Sequence, residues 1–328
     1  MPGSDSPIGN LPYAERGRDA VASGQRMSRA FKSDRRKNGW SWDGHASSTK
    51  ARIRKLLPDW LILIRGYRGT HGTYPNVIRP ATFNEKVLHR ILFDRRVILT
   101  QLTDKAAMRS YVESRLGAQI LPHCYCLTTC PETIPFDQLP RRFVVKPTHG
   151  SRWVRLISDS STLDRAALIE TCAGWLNQSY FEQTREWIYK NIEPQILVEE
   201  FIDDGSGAAP SDYKLFVFDG TVEMIQVDVQ RFTKHRRGLY TPAWKKLDVL
   251  LEHDGVEVPP PAHLTEMITA AQALGRGLDF VRADFYDTAD RLYIGELTMT
   301  PGCGKERFYP REFDRYLGER WRLPGRRP

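Results

Sequence analysis

The sequence has no apolar run long enough to span a bilayer: the longest near the front, Trp60 to Ile64, falls far below the roughly 20 residues required. Nothing before it shows the basic, apolar, small-residue order of a secretory leader. A cytoplasmic chain is therefore expected, in which the five cysteines stay reduced. Cys124, Cys126 and Cys130 cluster beside His123, but there is no second CxxC pair and none of the eight histidines recurs at zinc-site spacing. The cluster reads as an apolar strand and turn carrying small soft side chains. GxxxxGK[ST] is absent, which excludes a Walker phosphate loop, and so is GxSxG, which with no plausible Cys/His pair removes the common protein nucleophiles. No internal repeat occurs.

Charge is plentiful but unevenly placed. The 48 Lys and Arg exceed the 40 Asp and Glu, a net +8. The first 70 residues hold 14 basic and 6 acidic side chains, leaving residues 71–328 with 34 of each and no net charge. No nucleic-acid partner is therefore expected. With 41% hydrophobic and 11% aromatic residues, the chain can build a large packed core. Residues 1–50, rich in Ser, Gly, Arg and Lys without sustained period, read as a disordered basic arm.

Period and punctuation give an α+β order. Thr82 and Glu85 form a capping-box pattern ahead of Val87, Leu88, Ile91 and Leu92 at helical spacing. A second helix after Thr103 carries Ala107, Met108, Tyr111 and Val112. Arg142–Lys146 and Trp153–Ile157 read as buried strands joined by Pro147 to Arg152. A helix from about Leu163, with Ser161 and Asp164 as cap and partner, aligns Leu168, Cys172, Trp175 and Leu176. Gln195–Ile202 is a strand, and 213–218 with 222–229 make a hairpin about Asp219-Gly220. A helix over His263–Leu274 precedes strands 280–286 and 292–297.

Those last two strands carry ionisable groups in their middles: Arg282, Asp284 and Glu296. Alternation puts Arg282 and Asp284 on one face. A three-residue loop, Thr288 to Asp290, would set Arg282 opposite Glu296 and make Asp284 and Glu296 diagonal neighbours. Two such carboxylates suit Mg²⁺, a hard cation that shares its shell with phosphate oxygens; an Arg-carboxylate network within the sheet would use the same residues. Lys146 at a strand end, followed by His149, Gly150 and Ser151, is a way to cover phosphates with an ammonium and backbone N–H groups. A short Gly-Ser turn serving only as a connection would look alike.

Taken in order, Asp104-Lys105, FVVKP (143–147), LVEEFI (197–202), VRADF (281–285) and GELTMTPG (295–302) resemble the ATP-grasp superfamily. TFNEK (82–86), LTDK (102–105), EWIYKNIEP (186–194), DYKLFVFDG (212–220) and LTMTPGCG (297–304) are similar to its TupA-like branch, associated with teichuronopeptide and other surface-glycan biosynthesis. The resemblance covers roughly residues 75 to 325. It implies an α+β ATP-grasp fold with two subdomains sandwiching the nucleotide. The expected division is the arm at 1–50, a helical region at 51–102, a lid at 103–198 and a C-terminal subdomain at 199–328.

The resemblance also implies roles. Lys105 and Lys146 would bind nucleotide phosphates, with His149, Gly150 and Ser151 in the covering loop. Glu199, Glu200 and Ile202 would lie on the hinge reading adenine, Asp203 or Asp204 at the ribose, and Lys214 on the nucleotide side. Asp284, Glu296 and Thr298 would hold Mg²⁺, and Arg282 would steady the transferring phosphoryl group. Two positions depart from the common pattern. Thr298 stands where many ATP-grasp enzymes place Asn, and Arg152 follows Ser151 where the branch has Gly.

RFTKHRR (231–237) places Arg231, Arg236 and Arg237 near Tyr240 and Trp244, cations among aromatics that suit an anionic sugar. The expected activity is an ATP- and Mg²⁺-dependent carboxylate-amine ligase joining an amino acid to an anionic surface glycan or its precursor. Peripheral association with membrane-bound polysaccharide machinery would follow from the basic arm. A sugar phosphotransferase, or a non-catalytic scaffold using that arm, are the alternatives.

Overall fold

The computed structural model describes residues 56–205, 210–230, 234–253 and 255–325. The basic arm and Arg231 lie outside these. The chain opens with α1 (Asp59–His71), α2 (Phe83–Phe93), α3 (Val97–Thr103) and α4 (Lys105–Leu116). α2 starts as its capping box requires: the Thr82 hydroxyl accepts from the Glu85 amide, and the Glu85 side chain accepts from the Thr82 amide. Asp104 caps α4 by accepting from the Ala106 amide.

The first sheet has the order β1 (Cys124–Thr128), β4 (Ile196–Glu200), β2 (Phe143–Pro147), β3 (Arg155–Ile157), all antiparallel. α5 (Arg165–Leu176) covers one face, burying Leu168, Cys172 and Trp175 against Phe143, Val145, Ile196 and Val198. Its cap is Asp164, which accepts from the Ala167 amide; Ser161 belongs to a preceding turn that Asp159 caps. The short helix α6 (Tyr180–Thr184) follows.

The second sheet has the order β10 (Leu292–Thr298), β9 (Phe280–Asp287), β5 (Asp212–Phe218), β6 (Thr221–Val229), β7 (Arg236–Tyr240). The β5–β6 turn forms at Asp219 and Gly220, both at positive φ (47° and 76°), as a tight hairpin requires. One face, with Leu215, Ile225, Ala283 and Ile294, packs under α4 and α7 (Leu264–Gly275). Half of the other face is apolar. There Phe216, Phe218, Met224 and Phe280 meet Phe83, Val87 and Leu88 of α2, Leu317 of α8 (Glu312–Arg320) and Trp321. The remaining half is charged.

Two expected boundaries move. β4 runs to Glu200, so a division between 198 and 199 falls inside a strand. α3 and α4 bury Leu99, Leu102, Met108 and Val112 in the core of the second sheet, while Lys105 and Arg109 reach the first sheet, so residues 103–116 bridge the two halves.

The β9–β10 register also differs from expectation. Asp287 pairs with Leu292 across a four-residue loop, which alone would put Glu296 opposite Ala283 and on the wrong face. A bulge between Ile294 and Glu296 corrects this: Glu296 pairs directly with Asp284, and Thr298 with Arg282. The bulge needs Gly295, because a Cβ there would come within 2.7 Å of the Tyr286 ring.

Arg90 is the polar anchor under the apolar half. It is fully buried, donates to the Phe280 and Met299 carbonyls, and pairs with Asp279 at 2.6 Å. Arg90→Met should lower stability by about 3 kcal/mol, because two carbonyls lose their donor and the Asp279 carboxylate keeps only Arg96 and Trp321. Urea denaturation at pH 7 measures it.

Candidate functional site

The charged half of the second sheet faces the first sheet, and cations converge there from four elements. Arg282 of β9 forks Asp284, with Nε to Oδ1 and a terminal nitrogen to Oδ2 both at 2.7 Å, and donates to the Thr298 hydroxyl at 3.1 Å. Lys105, at the start of α4, reaches Glu296 at 3.6 Å and donates to the Gly150 carbonyl at 2.5 Å. Lys146 of β2 pairs with Glu199 of β4, whose second oxygen lies 3.6 Å from Arg109. Lys214 of β5 is held by Asp212, with Asp228 at 3.5 Å and Asp284 at 3.7 Å.

Burial sets the charge states. It opposes ionisation of Glu296, yet Lys105, Arg282 and Lys146 hold this carboxyl below its ordinary range. Burial pushes the Asp284 carboxyl up, while Arg282 and Lys214 pull it back. Burial also works against the Arg282 charge, but Asp284 and Glu306 overcome it and keep the guanidinium ionised. The Lys105 ammonium is lowered by burial, with Glu296 opposing.

Asp284, Glu296 and Thr298 thus share one sheet face at adjacent register positions and offer hard oxygens. Both Asp284 oxygens are engaged by Arg282, so Mg²⁺ would displace that fork. Among the described residues no three His, Cys, Asp or Glu side chains gather closely enough to cage a metal alone. The donor set fits an ion that completes its shell with phosphate and water, which is the habit of Mg²⁺.

Several expected residues point elsewhere. His149 is buried and its Nε2 lies 3.1 Å from the Trp175 carbonyl and 3.2 Å from that of Gln178, so it ties the loop to the end of α5 instead of facing phosphates. Burial lowers its pKa and keeps the ring neutral. Glu200 accepts from Tyr293 Oη at 2.9 Å, Arg291 at 3.0 Å and the His123 amide, joining the hinge to the β9–β10 hairpin. Lys214 lies among three carboxylates and neutralises the sheet. Asp203 is paired with Arg142. Ile202 and Asp204 follow β4 in the link to the second sheet. Arg237 is held by Asp228 at 2.6 Å and by the Leu251 carbonyl, so it is not a free acceptor-side cation; Arg236 projects from the opposite face of β7. Arg152 adopts φ +66°, where glycine is unstrained and another residue costs about 1 kcal/mol.

Two buried carboxylates were not anticipated. Glu306 lies 3.9 Å from Arg282, with one oxygen lacking a hydrogen-bond partner among the described residues. Glu186, which opens EWIYKNIEP, accepts from the Thr300 hydroxyl just past the β10 end. Burial pushes both carboxyls up to about 7. An acidic residue inside so aromatic a segment was the available signal for Glu186; Glu306 had none. Each folded-state value exceeds the ordinary carboxylate value, so the native state holds the extra proton and its stability should fall as pH rises from about 5 to 8. The loss should be on the order of 3 kcal/mol per group. Glu186→Gln should remove its share of that slope, read from urea midpoints at pH 5, 6.5 and 8.

A model of the family described as TupA-like ATPgrasp matches residues 85–322. No curated protein matches the chain. Among solved structures, a D-alanine–D-alanine ligase from Bacillus anthracis is 20% identical over 63% of this chain and 60% of its own, with a TM-score of 0.40. An L-amino acid ligase from Bacillus licheniformis is 16% identical over 67% and 49%, with a TM-score of 0.39. The ATP-grasp ligase PsnB, complexed with a phosphomimetic variant of a minimal precursor, Mg and ADP, is 14% identical over 68% and 58%, with a TM-score of 0.39. This chain thus spans about half to three-fifths of their lengths. Likenesses this distant carry no argument about substrate, and the assignment rests on the family model.

Proposed function

Because the chain belongs to the TupA-like ATP-grasp family, we propose that it is an ATP-dependent carboxylate-amine ligase that joins an amino acid to an anionic surface glycan or its precursor. The observation that carries the ligase reading is the convergence of Lys105, Lys146 and Arg282 with Asp284 and Glu296 between the two sheets. The glycan rests on the teichuronopeptide resemblance of the sequence motifs.

Asp284, Glu296 and Thr298 would hold Mg²⁺, which when bound supplies charge neutralisation at the ATP phosphates. Lys105 and Lys146 lie on the same side, the Lys105 amide donating to the Thr148 carbonyl just past β2, and together would fix the phosphate chain. Lys105 also holds the Gly150 carbonyl, so the covering loop and the phosphates would be positioned together. A carboxylate oxygen of one substrate attacks the γ-phosphorus, the bond to the β,γ-bridging oxygen breaks, and ADP leaves. Arg282 lies where it can spread the developing negative charge. An amine then attacks the acyl carbon, phosphate departs, and the nitrogen sheds a proton. Glu306, buried with its Oε1 3.9 Å from Arg282 and its carboxyl pushed up to about 7, would be the group to take that proton. Arg231 and Arg236 are the remaining cations for an acidic group on the acceptor. The Arg236 Nε is buried without a hydrogen-bond partner among the described residues.

Phosphate release should be stimulated by a particular pairing of amino acid and acidic sugar, and should fall at least about a hundredfold in Asp284→Asn. Mass analysis should find an amide with ADP and free phosphate. A stable phosphate ester would indicate a phosphotransferase, and no stimulation by any mixture would defeat both enzyme readings.

The arm is proposed as a tether to an anionic surface. Deleting residues 1–50 should leave ATP turnover within about twofold of the full chain while weakening vesicle attachment in a salt-dependent manner. Loss of turnover on this deletion would make the arm part of the catalytic fold.

A further inference from the structure

Large apolar side chains face solvent together where the basic front end enters the described body. Leu56 is 84% exposed, Leu57 36% and Trp60 54%, at the entry to α1. Phe93 is 50% exposed and Val97 69%, at the link from α2 to α3. These two groups flank one feature, a cavity of about 760 Å³ whose rim includes Asp59, Arg95 and Val97. Scattered exposed apolar residues are ordinary on any protein; here the α1 entry and Val97 meet at one cavity rim through Asp59 and Val97, with Phe93 four residues before Val97.

α1 makes the point more sharply. Its first turns read Asp59, Trp60, Leu61, Ile62, Leu63, Ile64; Leu63 is buried, Leu61, Ile62 and Ile64 are half-buried, and Trp60 stands exposed at the start of the helix beside Leu56 and Leu57. The surrounding chemistry says what this end would meet. Arg52, Arg54 and Lys55 immediately precede Leu56, and the whole +8 surplus lies in residues 1–70. Arg65, Arg95 and Lys190 are exposed on the described body, where Asp59 and Glu193 offset part of their charge, so the basic excess comes from the sequence that leads into Leu56. Apolar side chains next to such a basic run match a layer of anionic headgroups over acyl chains.

We propose that this end of the molecule docks on an anionic lipid bilayer, with Leu56, Leu57, Trp60, Phe93 and Val97 entering the headgroup boundary and the cations meeting lipid phosphates. The inference deepens the tether reading above and is independent of the ligase chemistry. It makes attachment two-part: a salt-sensitive share from the arm and a salt-resistant share from the patch. It also orients the site, because Asp104 on the cavity wall precedes Lys105, so the flank of the reaction cleft would face the membrane.

The test is sedimentation of the full chain with vesicles of phosphatidylglycerol and phosphatidylcholine, against phosphatidylcholine alone, at low and at high salt. The full chain should bind the anionic vesicles at least about tenfold more tightly than the neutral ones. Leu56→Ser, Trp60→Ser and Val97→Ser together add no charge, and should weaken binding at high salt by about tenfold or more. Trp60→Phe should stay within about twofold of the native chain. These positions are exposed, so the melting temperature and ATP turnover should not change; if the triple variant fails to fold, Leu56→Ser with Val97→Ser serves instead. Native binding by the serine variants at both salts would overturn the patch and leave the arm tether standing. Failure of the native chain to bind anionic vesicles would defeat both, as it would if the arm or a protein partner covers this face. Neither result bears on ATP turnover, so the ligase reading stands or falls separately.

Discussion

Burying several carboxylates on one face of a sheet is the constraint from which the rest of the cleft follows. Asp212, Asp228 and Asp284, all buried, and the half-buried Glu296 stand close together on the second sheet, and such a group is stable only with cations among it. Lys214 and Arg282 come from the sheet itself. Lys105 comes from α4, and Lys146 enters from the facing sheet by pairing with Glu199. A phosphate chain entering the cleft would find these cations already assembled, because the carboxylates hold them while it is absent.

The same face explains why the helices sit where they do. Phe216, Phe218 and Phe280 lie on it beyond the charged residues and require cover, which α2, α8 and Trp321 provide. Arg90 closes that layer by satisfying the Phe280 and Met299 carbonyls from below. Near the boundary between halves, Thr298 and Thr300 connect β10 to Arg282 on one side and to Glu186 on the other. The EWIYKNIEP segment is thereby fastened to the end of β10, which gives an otherwise unexplained motif a structural task.

Much of this was legible in the residues. The capping box of α2, the Asp219-Gly220 hairpin and the stripe Leu168, Cys172, Trp175 depend on neighbours a few positions away, and the structure has each of them. The family motifs contain both lysines and the Asp284–Glu296 pair, which the fold brings near one another. Where a residue's surroundings differ from what the sequence suggests, the cause is a partner distant in sequence. Arg237 looked like a free cation until Asp228 was placed beside it, and His149 looked like a phosphate contact until the end of α5 supplied its acceptors. Glu200 resembled a base-reading residue until Arg291 and Tyr293 engaged it.

The sequence by itself determined the elements, their order, the family and the residues that would carry charge into the cleft, because local period, turn chemistry and motif spacing are properties of neighbouring residues. Only the tertiary structure decided which of those charges remain available and on which face they lie. A four-residue loop would have turned Glu296 away from Asp284, and one bulge at Gly295, where no side chain fits against Tyr286, turns it back. Strand register is a relation between two segments, so no residue of either one alone records it.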